Sequence, residues 1–208
     1  AHRAPFYGAE HAPSAPLELV STDLCGPLPI VGSGGAKYVL TVLDGYTGLS
    51  VINVLKDKGQ TTRTLISTLD YLETQLGRRV VAVRSDNGSE YVNHTLRGYF
   101  TSKGISHETT VPYSPQQNGA AERLNRTLIE KAKAMLFHAK LPLTLWPEAI
   151  ETASFLRNRS PAAGKQSTPW ELAFNIKPDL SSLRVFGSRT HVFTASPRNK
   201  LAPHAATG

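Results

Sequence analysis

The first part of the chain alternates short apolar runs with turn-forming residues, which is typical of β-strands. Residues 17–23 alternate well enough to predict a strand that ends near Asp23. The apolar runs at 38–43 and 49–55 flank a turn rich in Gly, Asp and Thr, so they predict a hairpin. Three successive strands joined by short connections predict an antiparallel meander.

The hydrophobic period changes after the meander. Between Thr61 and Leu76, leucines recur at steps of three and four residues, which predicts an amphipathic helix stopped by Gly77. The apolar run at 80–83 predicts a strand buried on both faces. A helix at 95–103 and a strand at 105–111 follow. Strands that alternate with helices after a meander predict an α/β domain with a mixed sheet.

The second part of the chain reads mainly as helix. Residues 112–119 form a predicted loop, because they are rich in Pro, Ser, Asn and Gly. Helices are predicted at about 120–139 and 145–158, and residues 183–194 have the composition of a strand. Residues 1–16 hold three prolines and show no hydrophobic period, so we expect an extended arm there.

The charge of the chain indicates a polyanionic partner. The 208 residues include 23 Lys and Arg against 16 Asp and Glu, a net charge of +7. Residues 1–122 hold 10 basic and 11 acidic side chains, whereas residues 123–208 hold 13 basic and 5 acidic ones. The positive excess therefore lies entirely beyond Glu122. Nucleic acid is the commonest partner of such a chain, and a solubilising surface is the alternative.

Composition excludes some classes of protein. No apolar run approaches the roughly 18 residues of a membrane-spanning helix, so we expect no membrane partner. A single cysteine, Cys25, excludes an internal disulfide and a Cys-rich zinc site within these residues. The one methionine, Met135, is internal, and we expect the sequence to be a segment of a longer product.

Three carboxylates stand where metal-dependent chemistry would need them. Asp23 and Asp86 each lie at the predicted C-terminal end of a strand, at the edge where α/β sheets commonly bind ligands. Glu122 lies in the first turns of the long predicted helix. Mg²⁺ prefers oxygen ligands, and two such ions can promote an in-line phosphoryl displacement. Taken singly, each residue is more often a turn or helix-dipole residue, so the combination carries the argument.

The sequence around these carboxylates closely resembles a known family. There are 62 residues between Asp23 and Asp86 and 35 between Asp86 and Glu122. The blocks are TDLCGP at 22–27, RSDNGSEY at 84–91 and VPYSPQQNGAAERLNRT at 111–127. Their order and spacing resemble the integrase catalytic core of copia-type LTR retrotransposons, relatives of retroviral integrases. The resemblance runs from about residue 17 to about residue 178.

This resemblance implies a fold and an activity. The fold is RNase H-like, with a five-stranded mixed sheet flanked by helices. Asp23, Asp86 and Glu122 occupy the positions of the D,D-35-E triad, which binds two Mg²⁺ or Mn²⁺ ions in that family. The family joins the 3′-OH ends of element DNA to target DNA by transesterification, and it also cleaves DNA as an endonuclease. The implied partners are double-stranded DNA and further copies of the chain, as a dimer or higher oligomer.

Several residues are candidates for DNA binding. On a helical wheel centred on Glu122, Lys140 falls at about 0°, Lys133 at about 20° and Arg126 at about 40°. This basic stripe continues from the predicted metal ligand and, with neighbouring Arg123, predicts contacts to phosphates. A solvated amphipathic helix is the alternative reading. Gln117 and Asn118 carry amides that reach bases or phosphates unless their segment is a plain surface loop.

The predicted organisation is an arm at 1–16, the catalytic core at 17–178 and a C-terminal extension at 179–208. The extension resembles the start of a truncated SH3-like module. The implied substrate places the action in the nucleus, after an earlier stage in a cytoplasmic particle, and the chain is not expected to be secreted. Two alternatives remain: a catalytically silent module for DNA binding or multimerisation, and a nuclease with an RNase H-like site.

Overall fold

A five-stranded sheet forms the centre of the computed structural model, which describes residues 12–109, 119–162, 165–193 and 205–207. The strands are β1 (Leu19–Cys25), β2 (Tyr38–Asp44), β3 (Ser50–Leu55), β4 (Ala82–Ser85), β5 (Ser106–Thr109), β6 (His191–Phe193) and β7 (Ala205–Thr207). The helices are α1 (Thr61–Leu76), α2 (His94–Lys103), α3 (Gly119–Ala139), α4 (Trp146–Asn158) and α5 (Pro169–Phe174).

The sheet is mixed, as the sequence predicts. Its order is β3-β2-β1-β4-β5; β1, β2 and β3 are antiparallel, and β4 and β5 run parallel to β1. Strands β6 and β7 form a separate two-stranded ribbon. The meander therefore supplies one half of the sheet, and two strands that follow helices supply the other half. This arrangement confirms the predicted RNase H-like fold class.

Helices cover both faces of the sheet, and each face has its own apolar cluster. The first cluster joins the sheet to α1 and α2 through residues such as Leu65, Leu69 and Phe100. The second joins the opposite face to α3 and α4 through residues such as Leu128 and Ile150. Successive side chains of a strand point to opposite faces, so one strand supplies both clusters. The result is a three-layer sandwich with its core on either side of the sheet.

Several predicted bounds agree with the structure. Helix α1 spans Thr61–Leu76, and Gly77 follows it with a φ of 60°, a left-handed conformation that favours glycine. Helix α2 begins after Asn93, whose side chain accepts from the Leu96 amide and so caps the helix. Leucine periodicity made α1 predictable, and a glycine directly after each helix, Gly77 or Gly104, marked where both helices end.

Other predicted bounds were wrong. Strand β1 continues to Cys25, so Asp23 lies inside the strand rather than at its end. Strand β4 begins at Ala82, later than the predicted 80–83 run; Ala82 and Val83 are buried on opposite faces as predicted, whereas Val81, before the strand, is 56% exposed. Helix α5 was not predicted at all, because six residues are too short to show a period. The strand predicted at 183–194 is reduced to β6 within the part the structure describes.

The segment before β6 packs onto the second cluster. Phe186 is partly buried against it. At Gly187, where φ is 75°, an added Cβ would lie 2.5 Å from the Cβ of Ala139. The segment therefore passes close to the end of α3. Among the helices in the described ranges, none is both long and apolar enough to cross a bilayer. Residues 1–11 of the predicted arm lie outside the described part.

Candidate active site

The two predicted aspartates lie at the same edge of the sheet, Asp23 within β1 and Asp86 just after the neighbouring parallel strand β4. In the pairing of β1 with β4, Leu19 is opposite Ala82 and Ser21 is opposite Arg84, a constant offset of 63 in residue number. The same offset relates Asp23 to Asp86, which directly follows the last residue of β4. Parallel strands end at the same edge of a sheet, so the register carries both carboxylates to one edge.

Alternation along β1 directs Asp23 toward α3. Leu24 packs on the first cluster and Cys25 on the second, so the odd-numbered residues at this end of the strand face α3. The Asn125 side chain on α3 donates from Nδ2 to Asp23 Oδ2 over 2.8 Å. Its carbonyl oxygen in turn accepts from the hydroxyl of Thr41, which is paired with Asp23 across the sheet. Asn125 thus joins α3 to two strands at the candidate site.

Glu122 shares a cleft with Asp23. It lies in the first turn of α3 and is exposed, one turn of helix before the buried Asn125. A cleft of about 500 Å³ runs between β1 and α3, and Asp23, Glu122, Arg126 and Lys133 are among its lining residues. Two of the three predicted carboxylates therefore open into the same space as two of the predicted basic residues.

The charges of Glu122 and Asp86 are near enough to affect the pKa of Asp23. Burial raises the pKa of Asp23 above its usual range, although its hydrogen bond from Asn125 acts in the opposite direction. The charges of Glu122 and Asp86 then raise this pKa further. Mutual repulsion of this kind is what a bound divalent cation relieves. The oxygen-only donor set is the type that Mg²⁺ and Mn²⁺ prefer, so the residues present fit such ions.

The three carboxylates are not clustered closely enough to form a metal-binding site together. Within the described ranges, no set of three or more His, Cys, Asp or Glu side chains is arranged to hold a metal ion. Asp86 is exposed and does not line the cleft that holds Asp23 and Glu122. The structure thus brings Asp23 and Glu122 into one cleft and holds Asp86 beside them at the same edge of the sheet.

The turn after β4 determines where Asp86 lies. The Gly88 amide donates to Asp86 Oδ1 over 2.9 Å, and the Ser85 hydroxyl donates to the Asp86 carbonyl over 2.8 Å. The Ser85 hydroxyl also lies 2.9 Å from His107 Nε2 on β5. Tyr91 closes the turn as a buried side chain whose hydroxyl is 3.5 Å from that of Thr22.

Only some of the predicted DNA-binding residues lie where the helical wheel placed them. Arg123, Arg126 and Lys133 are exposed on α3, and the latter two line the cleft. Lys140 departs from the predicted stripe: α3 ends at Ala139 and Lys140 has a φ of 54°, so the helical angle does not extend to it. Gln117 and Asn118 lie outside the described residues. The stripe therefore consists of Arg123, Arg126 and Lys133, the first two in the turns that follow Glu122.

Sequence reasoning missed Asn125 and its partner Thr41. Asn125 was detectable as the one polar residue among the buried positions of α3 in the described range, three residues after Glu122. A buried amide requires hydrogen-bond partners, so its place on the apolar face predicts a specific contact. The identity of those partners was not predictable, because they lie 84 and 102 residues away in the chain.

Known proteins resemble this chain in sequence and in fold. Residues 13–115 match the family model described as the integrase core domain. The retrovirus-related Pol polyprotein from transposon TNT 1-94 of Nicotiana tabacum is 40% identical over 189 residues, 90% of this chain but 14% of that polyprotein. The chain thus spans a small part of its curated relative.

Two solved structures share the fold. The simian T-cell lymphotropic virus intasome, solved in complex with the PP2A regulatory subunit B56 gamma, superposes with a TM-score of 0.67. It is 21% identical and matches 99% of this chain and 71% of its own. The HTLV-2 integrase catalytic core, solved with magnesium in a trimeric form, has a TM-score of 0.59 at 20% identity and covers 77% of this chain and 98% of its own.

Proposed function

The chain belongs to the integrase core family, in the group found in copia-type retrotransposon polyproteins, and from this premise we propose that it is a DNA strand transferase. It joins the 3′-OH ends of retrotransposon DNA to target DNA and cleaves DNA as an endonuclease. One observation carries the proposal: Asp23 and Glu122 open into one cleft with Arg126 and Lys133, and Asp86 lies at the same edge of the sheet as Asp23. Carboxylates and cations in one cleft suit a phosphodiester substrate.

Asp23, Asp86 and Glu122 are the residues that would hold Mg²⁺ or Mn²⁺, two ions in all. Such ions, when bound, activate an attacking oxygen and stabilise a leaving oxygen in an in-line displacement. The chain's own residues supply the rest: Asn125 orients Asp23, and the Gly88 amide orients Asp86. The magnesium bound to the HTLV-2 catalytic core supports this assignment by likeness of fold.

Arg123, Arg126 and Lys133 bind DNA phosphates along α3 in this proposal, together with Lys140, Gln117 and Asn118. Arg126 and Lys133 lie seven residues apart, two turns of helix, which separates them by about 10 Å along the axis. That length suits contacts to more than one phosphate of the same strand. The chain acts as a homo-oligomer on double-stranded DNA, after passage from a cytoplasmic particle to the nucleus.

A strand-transfer assay tests the proposal. A short DNA duplex with a recessed 3′ end is incubated with the chain and Mn²⁺, and joined and nicked products are separated on a gel. We expect products from the wild type and at least a hundredfold less from Asp86→Asn and Glu122→Gln, a loss on the order of that for a transition-state contact. Glu130→Gln is the matched control, because Glu130 lines the same cleft without belonging to the triad.

A catalytically silent module for DNA binding or multimerisation is the second candidate. The lack of a closed metal-binding group in the described ranges favours it. This candidate predicts that the wild type binds the duplex and forms oligomers but yields no joined or nicked product with either metal ion. Equal product from wild type, Asp86→Asn and Glu122→Gln would contradict the strand-transferase proposal. Loss of both DNA binding and product would contradict both candidates.

A further inference from the structure

A buried carboxylate covers the turn that holds Asp86, and the proposed function does not use it. Glu90 follows Asp86 by four residues, and its side chain is only 7% exposed. Its Oε2 atom has no hydrogen-bond donor among the described residues. Lys58 Nζ lies 3.1 Å from that atom as an ion pair without hydrogen-bond geometry. Burying a carboxylate without a donor costs free energy, so its place requires a physical reason.

The carboxylate rests directly on Gly88. A Cβ added at Gly88 would lie 2.6–2.7 Å from Cδ and both carboxylate oxygens of Glu90. Gly88 is not among the described residues with positive φ, so its backbone conformation does not itself require glycine. The Glu90 carboxylate therefore occupies the space where a side chain at position 88 would begin. The amide of this same Gly88 donates to Asp86 Oδ1.

The backbone of Glu90 is held in place by hydrogen bonds. Its carbonyl oxygen accepts from the Thr62 hydroxyl over 3.0 Å and from Asn93 Nδ2 over 2.9 Å. Thr62 lies in the first turn of α1 and Asn93 caps α2, so the turn is tied to both helices of one layer. Lys58 comes from the segment just before α1. Glu90 thereby connects the helical layer to the Gly88 peptide.

We propose that Glu90 is a positioning residue for Asp86: its carboxylate, paired with Lys58, packs on Gly88 and fixes the amide that orients the Asp86 carboxylate. Asp86 needs such support because it follows the strand and is exposed, so neither the sheet nor the core determines its rotamer. This inference rests on the proposed function for its consequence, since a displaced Asp86 binds a divalent cation less well. The contact between Glu90 and Gly88 can be tested without that premise.

The first test is a double-mutant cycle between Gly88 and Glu90. In the wild-type background, Gly88→Ala forces the Glu90 carboxylate away from its Lys58 partner, and we expect a melting temperature about 3 °C lower than additivity with Glu90→Ala would give. In the Glu90→Ala background the new methyl group meets empty space, so the same substitution has almost no effect. Equal falls in both backgrounds would overturn the contact. Ser89→Ala is the matched control, because Ser89 is exposed in the same turn.

The second test follows the Gly88 amide itself by glycine-selective ¹⁵N labelling. Glu90→Ala should shift the Gly88 amide proton upfield and speed its exchange with solvent, in the same direction as we expect from Asp86→Ala, which removes the acceptor. Glu90→Gln keeps the shape of the side chain and should leave the signal close to its wild-type position. An unchanged Gly88 signal in Glu90→Ala would overturn the proposal whether or not the chain binds metal.

The third test measures Mn²⁺ affinity by calorimetry, with the duplex absent. We expect Glu90→Ala to weaken binding about tenfold, as the loss of residues that orient metal ligands does, and Glu90→Gln to weaken it much less. If Glu90→Gln abolishes binding as completely as Asp86→Asn, Glu90 is itself a ligand and the positioning role is wrong. If wild type and Asp86→Asn titrate alike, the proposed metal site fails instead, and the first two tests still decide the role of Glu90.

Discussion

Asn125 shows how one side chain can hold a partly buried carboxylate, that of Asp23, in place. Its amide nitrogen donates to Asp23 and its carbonyl oxygen accepts from the Thr41 hydroxyl, so both polar atoms of the side chain are hydrogen-bonded. The hydrogen bond also lowers the pKa of Asp23 against the effect of burial. Asn125 therefore favours the charged form of Asp23, which is the form that binds a cation.

We expect Asn125→Ala to impair both stability and activity. The substitution leaves an Asp23 oxygen and the Thr41 hydroxyl without their partner, which costs about 1–3 kcal/mol of unfolding free energy. It also removes a contribution that lowers the pKa of Asp23, so strand transfer should recover partly as the pH rises. Urea unfolding and strand-transfer rates across pH measure the two effects. A wild-type rate profile from a destabilised Asn125→Ala protein would limit Asn125 to a structural role.

The aspartates and Asn125 differ in how far the sequence could locate them. Asp23 and Asp86 were expected together because two strand ends with the right spacing indicate one sheet edge. Asn125 was not predicted, because the leucines and alanines on the same side of the helix dominate the hydrophobic pattern. Its two partners depend on the antiparallel register of β1 with β2, which a sequence pattern does not specify.

At the scale of elements, α3 is the part in which the sequence was most informative. Its buried positions include Leu124, Leu128 and Ala132, and its exposed face carries the basic stripe. The predicted end at residue 139 agrees with the structure, so the helical wheel does not extend to Lys140, which has left-handed backbone. The short helix α5 carried local signals at its start, a capping box of Thr168 with Glu171 and Pro169 at the first helical position.

The basic stripe makes a prediction about salt. Each phosphate contact that is lost reduces the slope of log affinity against log salt by about one. We expect Arg126→Ala with Lys133→Ala to reduce the slope for a DNA duplex by about two. Lys131→Ala is the matched control, because Lys131 is an exposed lysine of the same helix, about 180° from Glu122 on the wheel. Fluorescence anisotropy at several salt concentrations measures the slopes.

Two results would contradict the stripe. A double variant with the wild-type slope would show that α3 presents a solvated face rather than a DNA track. If the double variant and Lys131→Ala reduced the salt slope equally per charge removed, the effect would come from net charge and not from the positions of Arg126 and Lys133. Only a loss specific to Arg126 and Lys133 supports a track that begins in the cleft with Asp23 and Glu122.

At the scale of the whole molecule, the sheet and the positive charge come from different parts of the chain. Residues 1–122 carry almost no net charge and supply the entire five-stranded sheet, whereas the excess of basic residues begins with α3. The class of fold was predictable from the change of hydrophobic period along the chain. The strand order was not derivable from period alone, because pairing of β1 with β4 brings together segments about 60 residues apart.

The two apolar clusters lead to a prediction about cooperativity. Leu69 on α1 and Leu128 on α3 are fully buried on opposite faces of the sheet and belong to different clusters. Either residue changed to Ala should cost about 3 kcal/mol of unfolding free energy through lost burial and a cavity. The sheet is shared by both faces, so loss of either layer exposes it and the chain should unfold in one transition.

Double variants test whether the two clusters contribute to the free energy of unfolding independently of each other. Because Leu69 and Leu128 share no cluster, their costs should add to about 6 kcal/mol, measured by urea unfolding with trimethylamine N-oxide to keep the double variant folded. Leu124 and Leu128 belong to the same cluster and the same helix, so the pair Leu124→Ala with Leu128→Ala should deviate from additivity. Two separate transitions in either single variant would instead mean that one helical layer leaves the sheet before the other. The edge that holds Asp23 and Asp86 would then open without global unfolding.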